Sequence, residues 1–295
     1  MLQAENKTLS RLLQDAATYL NRKQIPFSRQ EAELLLASFL SLRRIDLYTR
    51  PDWPVSPEQE SRFWTSIYRR GEREPLQYII GEVEFDGLLL TVQPGVFIPR
   101  PETELMVEFV QNQLPPPQTI LDLCTGAGAL AIALAKRFPA AKVVAVDCSE
   151  AALAVARFNA KRHQCAPRIT FLMGDLFEPL RARRSFDLLI SNPPYIPERD
   201  RPDLQPEVRD YEPAAALFAP EEGTAFYRRI LRNAAPFLAP GGRLLLELGE
   251  GQSAWLHAFA GRESPFSATF IPDFSGIDRI AVCSRRPERE GTHHG

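Results

Sequence analysis

The chain has 295 residues, enough to bury a large core and to form two domains. Its composition is that of an ordinary soluble protein, and a formal net charge of −2 argues against a surface that binds nucleic acid non-specifically. Its four cysteines, Cys124, Cys148, Cys165 and Cys283, lack CxxC spacing, which points to reduced thiols in a cytoplasmic protein and to neither a metal site nor a disulfide framework.

Residues 1–20 are interrupted by Glu5, Lys7, Arg11 and Asp15, so they carry no signal-peptide core, and no apolar run in the chain is long enough to span a membrane. Within that segment Leu9, Leu12, Leu13, Ala16, Ala17 and Leu20 recur at helical spacing. Ser28 with Glu31 reads as a capping box before Ala32-Glu33-Leu34-Leu35-Leu36. Ser56-Pro57-Glu58-Gln59 is a second start signal, with proline at the first helical position and Phe63, Trp64, Ile67 and Tyr68 on one stripe beyond it. Residues 1–80 are therefore expected to form a small helical bundle.

Val83-Glu84-Phe85 and Leu88-Leu89-Leu90-Thr91-Val92 read as two short strands around a turn at Asp86-Gly87. The hairpin is expected to link the bundle, across residues 81–100, to a domain over residues 101–285. Phe97-Ile98-Pro99-Arg100-Pro101-Glu102-Thr103-Glu104 leads into an amphipathic helix over residues 102–113. After Pro115-Pro116-Pro117, strands at 120–123, 142–147, 169–173, 186–191 and 243–248 alternate with helices at 129–138, 149–162 and 223–238. Two more strands follow at 268–271 and 279–283. Such alternation implies an α/β fold, a parallel sheet covered by helices on both faces. Arg181-Ala182-Arg183-Arg184 reads as a solvated loop, and residues 286–295 as a disordered tail in which His293 and His294 bind no metal.

The first strand of that alternation runs into Cys124-Thr125-Gly126-Ala127-Gly128, whose glycines let the backbone turn tightly and approach a ligand. With Ala131 the spacing also fits a dinucleotide fingerprint, so the loop by itself points to an adenosine cofactor of unspecified kind. Asp147 ends the next strand, where a carboxylate can accept both ribose hydroxyls; Ser149 is the more natural cap for the following helix. Asp175, in Gly174-Asp175-Leu176-Phe177, is placed to accept from an adenine amino group, or is a plain loop aspartate.

Asn192-Pro193-Pro194-Tyr195 follows the apolar run 186–191. At a strand end, the Asn192 side-chain carbonyl and the Pro193 carbonyl can each accept one hydrogen bond from a planar NH2 group. The prolines stiffen the turn, and Tyr195 offers a flat face. In an open sheet of this kind ligands bind beyond the carboxyl ends of the strands where strand order reverses, so Asn192 should face whatever the glycine loop holds. A hydride-transfer enzyme has no need of such a socket; an enzyme that methylates a conjugated nitrogen does.

These motifs resemble those of the class I S-adenosylmethionine-dependent methyltransferases that modify planar nitrogens. The chain is more narrowly similar to the bacterial release factor glutamine methyltransferases, the PrmC/HemK family. That similarity rests on Pro75-Leu76-Gln77-Tyr78-Ile79-Ile80-Gly81, the 97–104 stretch, residues 120–128, Asn192-Pro193-Pro194-Tyr195-Ile196-Pro197, Val208-Arg209-Asp210-Tyr211-Glu212-Pro213 and Pro240-Gly241-Gly242.

The resemblance implies a Rossmann-like methyltransferase sheet preceded by a small all-helical domain that recognises substrate. The implied reaction is methylation of the glutamine N5 in the Gly-Gly-Gln loop of peptide chain release factors, through a transient complex. It implies that S-adenosylmethionine lies against Cys124, Thr125, Gly126, Ala127, Gly128, Asp147, Asp175, Leu176 and Asn192, and that the glutamine lies against Asn192, Pro193, Pro194 and Tyr195. Arg100, in the most family-specific stretch, is expected to orient cofactor or substrate, or else to pair with Glu102 or Glu104. The family usually has glycine where this chain has Cys124. It often has tryptophan at Leu176, which leaves Phe177 to stack on adenine. Adenine N6-methyltransferases of DNA or RNA share the tetrapeptide and are the nearest alternative; they need a basic groove. A non-catalytic nucleotide sensor and a nicotinamide-dependent oxidoreductase are more distant ones.

Overall fold

The computed structural model describes residues 7–180 and 185–286; the arginine run at 181–184 and the tail beyond 286 lie outside them. The chain divides into two compact units, Met1–Glu82 with Gln205–Tyr211, and Val83–Leu204 with Glu212–Gly295. Among the described residues no helix is long and apolar enough to cross a membrane.

The first unit is helical: α1 (Leu9–Arg22), α2 (Ser28–Leu40), α3 (Asp46–Thr49), α4 (Pro57–Gly71) and α5 (Leu76–Ile80). The apolar stripe of α1 buries Leu9, Leu12, Leu13, Ala16 and Leu20 in one cluster with Leu35 and Leu36 of α2 and Phe63 and Ile67 of α4. Each such large side chain contributes about 1.5–3 kcal/mol on burial. Ser56 and Gln59 form the expected capping box of α4. The box expected at Ser28 does not form: Phe27 precedes α2 in the left-handed region, with no side-chain cap. Glu31 is instead drawn to the buried Arg70, where a guanidinium without a carboxylate would be costly.

Residues 205–211 join this unit although they lie far along the chain. Glu207 pairs with Arg70 at 2.9 Å and Arg73 at 3.1 Å, and the Tyr211 hydroxyl donates to the Glu72 carbonyl at 2.5 Å. These bonds close across about 140 positions, beyond the reach of periodicity.

The second unit opens with the hairpin of β1 (Glu82–Phe85) and β2 (Leu88–Thr91). Asp86 and Gly87 both take positive φ, 50° and 70°, as the tight turn of a right-twisted hairpin requires. The hairpin is part of the core: Phe85 and Leu90 are fully buried beneath it, and the buried Asn159 side chain bonds Thr91 N (2.8 Å) and Thr91 O (3.0 Å).

Then come α6 (Pro101–Gln113), β3 (Thr119–Leu123), α7 (Ala129–Arg137), β4 (Lys142–Asp147), α8 (Glu150–Arg162), β5 (Ile169–Met173) and β6 (Phe186–Ser191). The chain continues through α9 (Pro206–Tyr211), α10 (Ala214–Leu217), α11 (Ala225–Asn233), β7 (Leu238–Glu247), α12 (Ser253–Glu263), β8 (Phe266–Pro272) and β9 (Asp278–Arg285). Ser149 caps α8 as expected, accepting from Ala152 N at 3.2 Å. The helix expected over 223–238 is shorter because Pro236 turns its end into a 3-10 helix, Ala235–Phe237.

Seven strands pair in the order β5-β4-β3-β6-β7-β9-β8. Five run parallel; β9 is antiparallel to both β7 and β8, so the sheet is not wholly parallel as the alternation implied. Two apolar clusters cover its faces. Strand order reverses between β3 and β6, the fold of a Rossmann-like sheet, and there the carboxyl ends carry residues 124–128 and Asn192.

Candidate active site

The loop after β3 is shaped by three residues with positive φ: Cys124 at 60°, Gly126 at 55° and Gly128 at 85°. A Cβ on Gly128 would stand 3.1 Å from Ala156 Cβ and 3.0 Å from Ile132 Cδ1, so glycine permits the close crossing of α7 and α8. Hydrogen bonds hold the turn: Thr125 N to Val146 O (3.0 Å), Gly128 N to Thr125 O (2.9 Å) and Asn159 Nδ2 to Ala127 O (3.1 Å). Beneath it the Thr125 hydroxyl donates to Asp122 Oδ2 at 2.6 Å, and the Ala131 backbone also acts on this buried carboxyl. Burial lifts the Asp122 carboxyl to about 7 against the pull of Thr125.

Asp147 is brought to this loop directly, its Oδ2 accepting from Gly126 N at 2.8 Å and its Oδ1 from Ser149 N at 2.9 Å. Burial raises its pKa and the backbone N–H groups oppose the rise. Gly174 N bonds Asp147 O at 3.0 Å and so leads the chain to Asp175, whose Oδ2 is taken by Arg229 at 2.7 Å. Leu176 packs into the apolar cluster on that face. Phe177 gives one ring face to Phe237, with centroids 4.8 Å apart.

On the neighbouring strand, Ser191 Oγ donates to Leu123 O at 2.7 Å, which fixes the end of β6 against β3. Asn192 follows, half-buried, and Pro193 and Pro194 are buried. Asn192 Nδ2 donates to Thr103 Oγ1 at 3.1 Å. With its NH2 turned to Thr103, the Asn192 amide has Oδ1 on the other branch of the group, where it can only accept. Thr103 Oγ1 in turn donates to Glu247 Oε2 at 2.5 Å, and the Tyr195 hydroxyl donates to Glu247 Oε1 at 3.2 Å. One buried carboxylate thus links both ends of the tetrapeptide. Burial pushes the Glu247 carboxyl up to about 7, and together with Glu247 it raises the Tyr195 phenol, which stays protonated as a donor. Gln252 Nε2 adds a bond to Tyr195 O at 2.8 Å.

A glycine loop, a carboxylate at the next strand end and an oriented amide at the reversal of strand order form one constellation, and the comparisons with known proteins agree on its lineage. Residues 11–81 match the family described as the PrmC N-terminal domain, and residues 88–205 match the methyltransferase small domain. The chain is 44% identical to a release factor glutamine methyltransferase of Geobacter sulfurreducens, over 92% of this chain and 95% of that one. It belongs to the release factor glutamine methyltransferase family. A relative of that name in Moorella thermoacetica is 41% identical over 95% of this chain and all of its own, and one in Koribacter versatilis is 37% identical over 95% and 99%. A methyltransferase structure from Pyrococcus furiosus shares the fold, with a TM-score of 0.51 at 20% identity over 67% of this chain and 88% of that one.

Among the described residues Arg100 pairs with neither Glu102 nor Glu104, but with Glu212. Its guanidinium bonds the buried Glu212 carboxylate and stands 4.7 Å over the Phe97 ring. Glu212 also accepts from Ile98 N at 3.2 Å, so the pair locks the 97–100 segment. Glu212 satisfies a backbone N–H and a guanidinium at once.

Three residues of the network escaped sequence reasoning: Thr103, Glu247 and Gln252. The available signal was Glu247 itself, one charge in Leu244-Leu245-Leu246-Glu247-Leu248, an otherwise apolar buried strand. Among the described residues no group of three or more His, Cys, Asp or Glu is arranged to hold a metal ion.

Proposed function

We propose that the protein transfers a methyl group from S-adenosylmethionine to the side-chain N5 of the glutamine in the Gly-Gly-Gln motif of release factors. The observation that carries this reading is the orientation of the Asn192 amide: its NH2 gives one hydrogen bond to Thr103, which turns the carbonyl oxygen to the other side as an acceptor.

The residues present suit an adenosine cofactor. Gly126 and Gly128 let backbone approach closely, and Asp147 sets a carboxylate beside the loop. Residues 124–128, Asp147, Asp175, Leu176 and Asn192 would hold S-adenosylmethionine, which when bound supplies an electrophilic methyl group. Cys124 takes a left-handed turn of the kind that favours glycine, with only a small side chain to accommodate.

An amide nitrogen is a poor nucleophile because its lone pair is delocalised. Asn192 Oδ1 and the Pro193 carbonyl each accept one N–H of the glutamine, which sets the nitrogen's orientation and stabilises the positive charge it gains. Tyr195, held through Glu247 and Gln252, lies on the amide plane and fixes its tilt. Pro194 keeps the turn rigid. Arg100 acts through Glu212, which ties it to the 97–100 segment leading into the helix that carries Thr103. The surplus proton leaves to water once the N–C bond begins to form, so no side-chain base is required. The helical unit serves as the recognition surface for a transient complex in the cytoplasm, with no direct contact to nucleic acid.

The test is co-incubation of the full chain with S-adenosylmethionine and a full-length release factor, followed by peptide mass spectrometry. One methyl on the glutamine of the Gly-Gly-Gln loop is expected. Label from tritiated cofactor appearing in DNA or RNA, and not in the release factor, would replace this reading by adenine N6 methylation.

A further inference from the structure

Glu247 is 2% exposed, at the end of β7, and the proposed chemistry uses it only to hold Tyr195. It is nevertheless the common acceptor of Thr103 and Tyr195. We infer that Glu247 is a positioning residue that dictates the orientation of the Asn192 amide by taking the Thr103 hydroxyl proton. The inference rests on the reading of Asn192 as the acceptor of the substrate NH2.

The argument is one of proton count. Threonine has a single hydroxyl hydrogen. While that hydrogen is given to the Glu247 carboxylate, the Thr103 oxygen can only accept from Asn192. Asn192 must then turn its NH2 toward Thr103, which leaves Oδ1 for the substrate. If Glu247 carries a proton, it can itself donate to Thr103. The threonine hydrogen is then free to point at Asn192, and the amide can rotate so that its carbonyl oxygen meets that hydroxyl. The rotated amide presents an NH2 to the substrate's NH2, donor against donor, and accepts nothing.

The groups facing Glu247 are Thr103 and Glu102 of α6, Tyr195 after β6, Tyr227 of α11 and Arg279 of β9. Thr103, Tyr195 and Arg279 favour the carboxylate; burial and Glu102 favour the acid. Tyr227 bonds the Glu247 backbone carbonyl at 3.0 Å and not the carboxyl. The balance places ionisation at about pH 7, so both amide orientations are accessible in the working range.

A rotating amide lowers the fraction of competent enzyme without altering the competent form. Substrate then selects that form, so KM for the release factor rises while kcat at saturation holds. KM for the wild type is expected to climb as pH falls below about 7. In Glu247→Gln either orientation is allowed at every pH. KM is then expected to be raised at pH 8, by about twofold if the two orientations are equally populated and by more if the rotated one prevails, and to lose its acid limb, with kcat within about threefold and S-adenosylmethionine affinity little changed. Thr103→Val should raise KM similarly, and Thr103→Ser, which keeps the hydroxyl, should restore it. The same switch is visible without turnover: the side-chain 15N–H2 signal of Asn192 should titrate near pH 7 in the wild type and stay fixed in Glu247→Gln. A Glu247→Gln enzyme with wild-type KM and an intact acid limb would overturn the inference, as would an Asn192 signal that ignores pH in the wild type. A titrating Asn192 signal in a wild-type protein that methylates no glutamine would leave the amide switch standing and remove the proposed substrate.

Discussion

Thr103 Oγ1 donates to Glu247 Oε2 across 2.5 Å, joining residues 144 positions apart. The bond ties the first turn of α6 to the end of β7, and through Asn192 Nδ2 it reaches the tetrapeptide after β6. The asparagine is therefore a preorganised dipole, aimed before substrate arrives. Such groups are effective in catalysis because they need no reorganisation during the reaction.

Asn192→Ala should abolish the aim and little else. Its Nδ2 has one partner, Thr103, and the Gly126–Asp147 contact lies on other elements. Methyl transfer is expected to fall by about 10²–10³, the loss seen when one preorganised group is removed, while cofactor affinity, for which Asn192 is one contact among those of residues 124–128, Asp147, Asp175 and Leu176, falls far less. Single-turnover label transfer and calorimetric titration of S-adenosylmethionine check the two halves.

Stability should fall as pH rises from about 5 to 8. The folded Glu247 carboxyl sits near 7, above its ordinary 4.5, so the fold binds the proton more tightly than the unfolded chain does. That stabilising contribution is complete below the unfolded pKa and is lost as pH passes the folded one, to the extent of about 3 kcal/mol. Asp122, raised from 3.8 to about 7, acts in the same direction. Denaturant unfolding across this range should show Glu247→Gln more stable than wild type at pH 8, with the difference shrinking toward pH 5.

Cys124 holds φ of 60° without being glycine. A thiol on an unbranched Cβ tolerates this; a β-branched side chain does not. Cys124→Val should destabilise by about 2 kcal/mol or more and weaken S-adenosylmethionine binding, whereas Cys124→Gly, with relaxed backbone but lost packing, should stay within about 1 kcal/mol of wild type. Thermal unfolding with and without cofactor measures both.

Gly223, at φ +80°, admits the Tyr195 backbone: a Cβ there would lie 2.2 Å from Tyr195 O. Gly223→Ala must displace the tyrosine or the segment before α11. A loss of at least about 2 kcal/mol in stability is expected, with turnover reduced at temperatures where the variant is folded. Denaturation curves and assays at low temperature separate the two effects.

The sequence by itself determined the hairpin turn at Asp86-Gly87, the caps at Ser56 and Ser149, the buried strands and the place of Asn192 at a strand end. These signals act within a few residues, through dihedral preference, capping and side-chain periodicity. Even some local signals failed where a distant partner competed, as Glu31 shows by leaving Ser28 for Arg70. Only the tertiary structure decided that Glu207 belongs with the helical unit, that Arg100 answers to Glu212, and that Thr103 and Glu247 set the Asn192 amide. The last of these depends on sheet register, which puts Ser191 beside Leu246 and so brings Glu247 to the level of the tetrapeptide. A buried charge has to find its partners in space, and the spacing of residues along the chain does not record where they lie.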